Sequence, residues 1–225
     1  MRFLKFEQKP MSPLFLCGKK GYNMIKNYIF DFGDVFLNLD KPATTQELLK
    51  LGMTDFTDEM LSKNKEYEKG LVSTEEFLNF YQKHFPNATK KQLKNAWNKI
   101  LLDFPLYRLE FIEEFSKLNT CFLLSNINDM HLEYIKKYLG SFFYKRFINC
   151  FDEIYYTHKI HLRKPDKNIF EYVFTNSKLN PKECFFIDDT LENTKMAIEL
   201  GVTCWTINPK KEDVIHLKEQ LKLIF

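Results

Sequence analysis

Four short segments each place reactive side chains directly beside an apolar run or a proline. Asp31 and Asp34 follow Tyr28-Ile29-Phe30, Ser125 and Asn126 follow Phe122-Leu123-Leu124, and Asp188-Asp189 follows Phe185-Phe186-Ile187. Between the last two, Arg163-Lys164-Pro165 precedes a helical pattern. Converging carboxylates repel one another unless a cation lies between them, and an all-oxygen ligand set favours a hard ion such as Mg2+. Ser125, the backbone amide of Asn126 and Lys164 offer donors suited to phosphate oxygens. A carboxylate beside Mg2+ and facing a bound phosphate is placed for in-line attack, which would give an aspartyl-phosphate.

That chemistry requires elements that deliver all four segments to one edge. In an open parallel sheet the ligand lies beyond the carboxyl ends of the strands. Residues 24–30 read as a first strand, and residues 43–104 read as helices only. Within that block, residues 74–84 show a helical start and helical spacing. Residues 89–102 repeat it, with Leu93, Trp97, Ile100 and Leu101 on one stripe. Residues 107–118 form a further helix with Phe111, Ile112, Phe115 and Leu118 on one side. Strand and helix then alternate. Strands are expected at 120–124, 154–157, 184–187 and 202–207. Helices are expected at 130–139, 166–175, 191–200 (closed by Gly201) and 212–223. This pattern predicts a three-layer α/β, Rossmann-like core with a parallel sheet, and a small all-helical domain set into it. The linkers into and out of the helical block fall near residues 38–42 and 103–105. The expected division is 24–40 with 105–225 for the core and 41–104 for the helical cap.

Composition narrows the function classes. The 225 residues carry 33 Lys+Arg against 30 Asp+Glu, a net charge of +3, so neither nucleic acid nor a membrane surface has electrostatic support as a partner. With 44% hydrophobic and 28% charged residues, and only 7 Gly and 8 Pro, fibrous and low-complexity classes are excluded. The 23 Phe point to aromatic core packing. No run reaches the roughly 18 to 20 apolar residues of a membrane span, and Leu14-Phe15-Leu16-Cys17 is too short for a signal sequence. The cysteines, Cys17, Cys121, Cys150, Cys184 and Cys204, are odd in number and include no CxxC. Three of them sit in apolar runs, which predicts buried reduced thiols in a cytoplasmic protein. Residues 1–23 carry Pro10 and Pro13 without a sustained period. They are expected to be an extension outside the fold, with Met24 the functional start. Nothing in the sequence fixes an oligomeric state.

The four segments together resemble the motifs of the haloacid dehalogenase (HAD) superfamily. Ile29-Phe30-Asp31-Phe32-Gly33-Asp34-Val35 looks like its first motif and Leu123-Leu124-Ser125-Asn126 its second. Leu162-Arg163-Lys164-Pro165-Asp166 resembles the third, and Phe186-Ile187-Asp188-Asp189-Thr190-Leu191-Glu192-Asn193 the fourth. The helical block is similar to the cap of the subgroup containing beta-phosphoglucomutase, haloacid dehalogenase and small sugar-phosphate phosphatases. The resemblance covers residues 24–225. It implies that Asp31 is the nucleophile and that Asp189 is a direct Mg2+ ligand. Asp188 would be a second or supporting ligand, and the Gly33 carbonyl would also reach the metal. Ser125, Asn126 and Lys164 would hold the phosphate. Asn193 is expected to support the site by hydrogen bonding, and His84, His131, His158, His161 and His216 to be structural or surface residues.

The resemblance implies a Mg2+-dependent hydrolase, a phosphatase of small phosphorylated metabolites. A 2-haloacid dehalogenase and a catalytically weak binding or regulatory scaffold are the competing readings. One departure matters. Most family phosphatases carry an aspartate acid–base two residues after the nucleophile, where this chain has Gly33. General acid–base help is worth about 10²–10⁴ in rate. Members resembling sugar-1-phosphate phosphatases share this glycine, so easily departing groups such as anomeric phosphates are the expected substrates. Strand alternation is expected to point Asp34 away from the nucleophile.

Overall fold

The computed structural model describes residues 25–224, so the extension expected over residues 1–23 and the start at Met24 lie outside the described residues. Five strands form one sheet in the order β3-β2-β1-β4-β5: β1 (Asn27–Phe30), β2 (Thr120–Ser125), β3 (Glu153–Tyr156), β4 (Cys184–Asp188) and β5 (Thr203–Thr206). Every pairing is parallel. Side chains alternate between faces, and both faces are covered, which is why the strands are apolar throughout. Tyr28, Phe30, Leu123, Phe185 and Ile187 enter one apolar cluster, and Ile29, Phe122, Leu124 and Phe186 the other.

The first four of the five helices between β1 and β2 form the insert: α1 (Ala43–Lys50), α2 (Asp58–Glu68), α3 (Thr74–His84) and α4 (Lys90–Asn98). Their starts are set by side chains. Ser73 with Glu76 and Thr89 with Gln92 form reciprocal capping boxes, and Thr57 caps α2. They enclose a third apolar cluster that contains Tyr67, Phe77, Tyr81, Leu93 and, from outside the insert, Met130. Helix α5 (Leu106–Ser116) then leads into β2. The remaining helices are α6 (Asp129–Ile148), the short α7 (Thr157–Ile160), α8 (Lys167–Asn176), α9 (Leu191–Glu199) and α10 (Leu217–Ile224). Helices α5, α6 and α10 cover one face of the sheet, and α8 and α9 the other. None of the described helices is long and apolar enough to cross a membrane.

Several boundaries differ from expectation. The first strand begins at Asn27 rather than at residue 24. Helix α4 stops at Asn98, so Ile100 and Leu101 do not continue its stripe. They join the return linker instead: Asp40 N–H donates to Ile100 O (2.8 Å), Leu102 N–H to Asn38 O (3.0 Å) and Asn38 N–H to Asp103 O (2.9 Å). The two linkers therefore form one short antiparallel ribbon. Helix α6 runs on to Ile148 across a kink at Gly140, whose φ of 74° no β-carbon would favour. The second half carries Phe147 into contact with Phe32, Phe36 and Phe104, while Phe142 stays exposed. The kink shifts the helical phase, which hides the periodicity of residues 141–148. Leu118 is exposed, because α5 ends before it.

Arg108 on α5 fixes the ribbon to the C-terminal segment. Its buried guanidinium donates to Asp213 Oδ2 (2.8 and 3.0 Å), Asn38 Oδ1 (2.9 Å) and Phe36 O (3.3 Å). Breaking one partner of a buried pair strands the other's charge, at a cost of about 3–5 kcal/mol. Arg108→Leu should therefore lower the urea-unfolding free energy by about 3 kcal/mol. Arg108→Leu with Asp213→Leu should recover much of that loss, and a double variant no more stable than the single would contradict this assignment.

Candidate active site

Strand register brings the motif residues to one level. Phe30 lies opposite both Leu123 and Ile187, and Asp31 N–H donates to Ile187 O (2.8 Å). Asp31 therefore stands beside Asp188, while β2 ends at Ser125 on the other side. Lys164 arrives from the loop between α7 and α8 and is 1% exposed. Its ammonium has three protons and three acceptors: Asp31 Oδ1 (2.8 Å), Asp188 Oδ2 (2.6 Å) and Leu124 O (2.8 Å). The tripod joins the ends of β1, β2 and β4. Asn126 sets the height of that lysine, because its side-chain amide accepts from Lys164 N–H (3.0 Å) and donates to Lys164 O (2.9 Å).

Asp188 is fully buried and accepts three contacts besides Lys164 Nζ: Thr190 N–H (2.8 Å) and Asn193 Nδ2 at 3.0 Å from each oxygen. Asp189 lies at the turn beside it, contacted by Thr190 Oγ1 (3.4 Å). Ser125 is buried and, with Gly33 and Asn126, lines a cavity of about 90 Å³ whose apolar wall includes Leu39, Ile100 and Leu101 of the ribbon. Ser125 does not cap α6; Asn128 does, accepting from His131 N–H (2.9 Å). His131 lines the same cavity, and burial pushes its pKa down to about 4, so the neutral ring donates to Trp97 O (3.0 Å).

The chain after β1 is a turn and not a strand, so strand alternation does not set the direction of Asp34, whose partners are Leu39 and Lys41 and not Asp31: Phe36 and Leu37 N–H both donate to Phe32 O, and Asp34 has φ 54°. Leu39 N–H donates to Asp34 Oδ1 (3.0 Å), and Asp34 Oδ2 lies 3.2 Å from Lys41 Nζ. Lys41 also forms an ion pair with Asp189 Oδ2. Asp34 is thereby tied to the site through a lysine that no motif marks. The only signal in the sequence was its place in the expected linker, directly before Pro42. A β-carbon at Gly33 would lie 2.7 Å from Leu39 Cδ1, the tip of a side chain that can turn aside.

Charge is unevenly matched. Asp31, Asp34, Asp188 and Asp189 face Lys41 and Lys164, which leaves two negative charges uncompensated when all are ionised. Burial pushes the Asp31 pKa up to about 7, opposed by Lys164 and reinforced by Asp188 and Asp189. Burial alone would lower the Lys164 pKa, but Asp188 and Asp31 outweigh it and raise it. One oxygen each from Asp31, Asp188 and Asp189 lie within 4.8 Å of one another, the one such grouping of His, Cys, Asp or Glu among the described residues. Three carboxylates and a deficit of two positive charges fit a hard divalent cation.

The parallel α/β core carries its acidic groups and one buried lysine at the carboxyl ends of the strands, the edge where open α/β sheets bind ligands. Residues 25–201 match the family model of the haloacid dehalogenase-like hydrolases, and the chain belongs to that family. It is 30% identical over 189 residues to D-ribitol-5-phosphate phosphatase of Bacteroides thetaiotaomicron, covering 79% of this chain and 89% of that protein. A HAD family enzyme of the same organism, solved in complex with magnesium and inorganic phosphate, superposes with a TM-score of 0.75 at 32% identity, covering 86% of this chain and 98% of the other. A HAD-like hydrolase from Porphyromonas gingivalis gives a TM-score of 0.77 at 25% identity, covering 90% and 98%.

A carboxylate whose folded pKa is raised binds more protons folded than unfolded, so its contribution is fully present at low pH and lost as pH rises through the folded value. Chelator-treated protein should therefore lose stability between pH 4 and about 7, by up to about 1 kcal/mol per pH unit from Asp31. Asp31→Asn should flatten that slope in urea-unfolding measurements across the range. An unchanged slope would show that Asp31 is not the crowded group.

Proposed function

We propose that the protein is a Mg2+-dependent phosphatase of small phosphorylated metabolites that works through an aspartyl-phosphate on Asp31. The convergence of Asp31, Asp188 and Asp189 carboxylate oxygens within 4.8 Å carries this reading. Asp31, the Gly33 carbonyl and Asp189 would hold the Mg2+, with Asp188 in support because its oxygens are already engaged by Lys164, Thr190 and Asn193. When bound, the ion supplies Lewis-acid neutralisation of the transferring phosphoryl group. The Ser125 hydroxyl and the Asn126 backbone amide would receive the phosphate oxygens. Lys164 opposes the burial that raises the Asp31 pKa, aims its carboxylate, and adds its charge to the phosphate field. An Asp31 oxygen attacks phosphorus, and the bond to the leaving oxygen breaks. Water then attacks the acyl phosphate, releasing phosphate and restoring the Asp31 carboxylate.

We assign residues 41–104 as a helical cap over a core of residues 24–40 and 105–225. The paired linkers at residues 38–40 and 100–103, and the insert's separate apolar cluster, support that division. The Bacteroides relative is a D-ribitol-5-phosphate phosphatase, which supports the reading of a small phosphorylated substrate. The dehalogenase reading is weaker, because that chemistry needs no cation and this site gathers carboxylates. The Cys184 thiol is buried and the Cys204 thiol, expected buried, is half-buried; both are pushed up to about 12 by desolvation and suit a reducing compartment such as the cytoplasm.

No acid stands at position 33, so leaving groups that depart without a proton should be favoured: anomeric and aryl phosphates over primary esters such as ribitol 5-phosphate. Mg2+-dependent phosphate release from p-nitrophenyl phosphate, a hexose 1-phosphate and ribitol 5-phosphate tests this order. Activity should fall to background in Asp31→Asn and in excess chelator; hydrolysis that survives either would overturn the reading. Gly33→Asp should raise turnover of the primary ester once Leu39, whose flexible tip meets the new β-carbon at 2.7 Å, turns aside. Gly33→Asp with Leu39→Ala should raise turnover of the primary ester by about tenfold or more.

A further inference from the structure

We propose that Lys41 is the internal counter-ion of this site, resting on Asp189 when no divalent ion is bound and displaced from it when the ion loads. The inference deepens the metal-centre reading above and rests on it. Lys41 Nζ pairs with both Asp189 and Asp34, and it is not anchored elsewhere: its side chain is 55% exposed, against 5% for Asp189 and 10% for Asp34. An ammonium and a divalent cation on the same carboxylate repel each other, and the lysine, on a flexible stem reaching solvent, is the one that can leave. Burial disfavours a charge at that position, yet the two carboxylates outweigh it.

The position of Lys41 in the chain gives the exchange a consequence. It follows Asp40, whose N–H donates to Ile100 O in the ribbon that carries the helical insert, and precedes Pro42 at the start of α1. A displaced Lys41 keeps Asp34 beside it and stays at the mouth of the site, where a substrate phosphate would replace the charge of Asp189 as its second partner. Lys41 should therefore weaken cation binding to the empty protein and strengthen the dependence of cation binding on phosphate.

The test is Mn2+ binding to the full, chelator-stripped chain, read as free Mn2+ by electron paramagnetic resonance, with and without inorganic phosphate. Wild type is compared with Lys41→Met, Lys41→Gln and Asp189→Asn, each checked for cooperative thermal unfolding. The exposed side chain makes at least one Lys41 variant safe for folding. Without phosphate, Lys41→Met and Lys41→Gln should bind Mn2+ at least threefold more tightly than wild type. Phosphate should tighten Mn2+ binding more in wild type than in either variant. Wild-type binding lost in Asp189→Asn but unchanged or weakened in both Lys41 variants would overturn the counter-ion role alone. Absence of Mn2+ binding in wild type and in the Lys41 variants would overturn the metal centre and this inference together.

Discussion

Four carboxylates held near one another inside a protein repel, and the arrangement around these strand ends follows from containing that repulsion. Lys164 carries most of the burden. Its three protons meet Asp31, Asp188 and the Leu124 carbonyl, so the same ammonium that offsets the charge also fixes the relative heights of β1, β2 and β4. Asn193 and Thr190 complete the shell of Asp188, leaving no oxygen of that group bare. Lys164, shared by Asp31 and Asp188, and Lys41, shared by Asp34 and Asp189, leave two negative charges uncompensated at these strand ends. A charge deficit that is local and oxygen-lined is what a divalent ion and a phosphoryl group both require.

The rest of the molecule makes that geometry rigid. Parallel register sets Asp31 beside Asp188, and the two apolar layers lock the register because a one-residue slip would exchange their faces. The turn after β1 is held by Phe32, Phe36 and Phe147 packing beneath it, and by Arg108 bonding to the Phe36 carbonyl from below. That turn returns Asp34 to the site and presents Leu39 and Lys41 at its mouth. The helical insert meets the core on its far side as well: Arg163 pairs with Glu68 and Lys69 with Asp166, on either side of Lys164 in sequence. Gly70 lies so close to the His158 carbonyl that a β-carbon would sit 2.1 Å from it.

Much of this was legible in the chain. Continuous apolar runs ending in Asp31, Ser125 and Asp188 announce buried parallel strands with chemistry at their tips, and the helical period of residues 74–84 announces α3. The failures share a cause: each depends on contacts made across the fold. Ile100 and Leu101 fit the stripe of α4 by spacing, but hydrogen bonding to residues 38–40 draws them into a ribbon. Alternation does not set the direction of Asp34, because the chain there turns with a positive φ, and its tie to Asp189 through Lys41 is not written in the spacing. Lys41 belongs to no motif; only the return of the linker over β4 brings it to Asp189. The phase shift at Gly140 concealed the second half of α6.

The central claim is that Asp31 carries the phosphoryl group. Its most direct test is to quench the enzyme with acid during turnover of p-nitrophenyl phosphate with Mg2+, reduce it with borohydride and map the peptides by mass spectrometry. An acyl phosphate at Asp31 is reduced to homoserine, whereas a free carboxylate is not. The account predicts homoserine at position 31, present only with substrate and Mg2+ and absent from Asp31→Asn. Steady phosphate release with an unmodified Asp31, or homoserine formed at another aspartate, would contradict it.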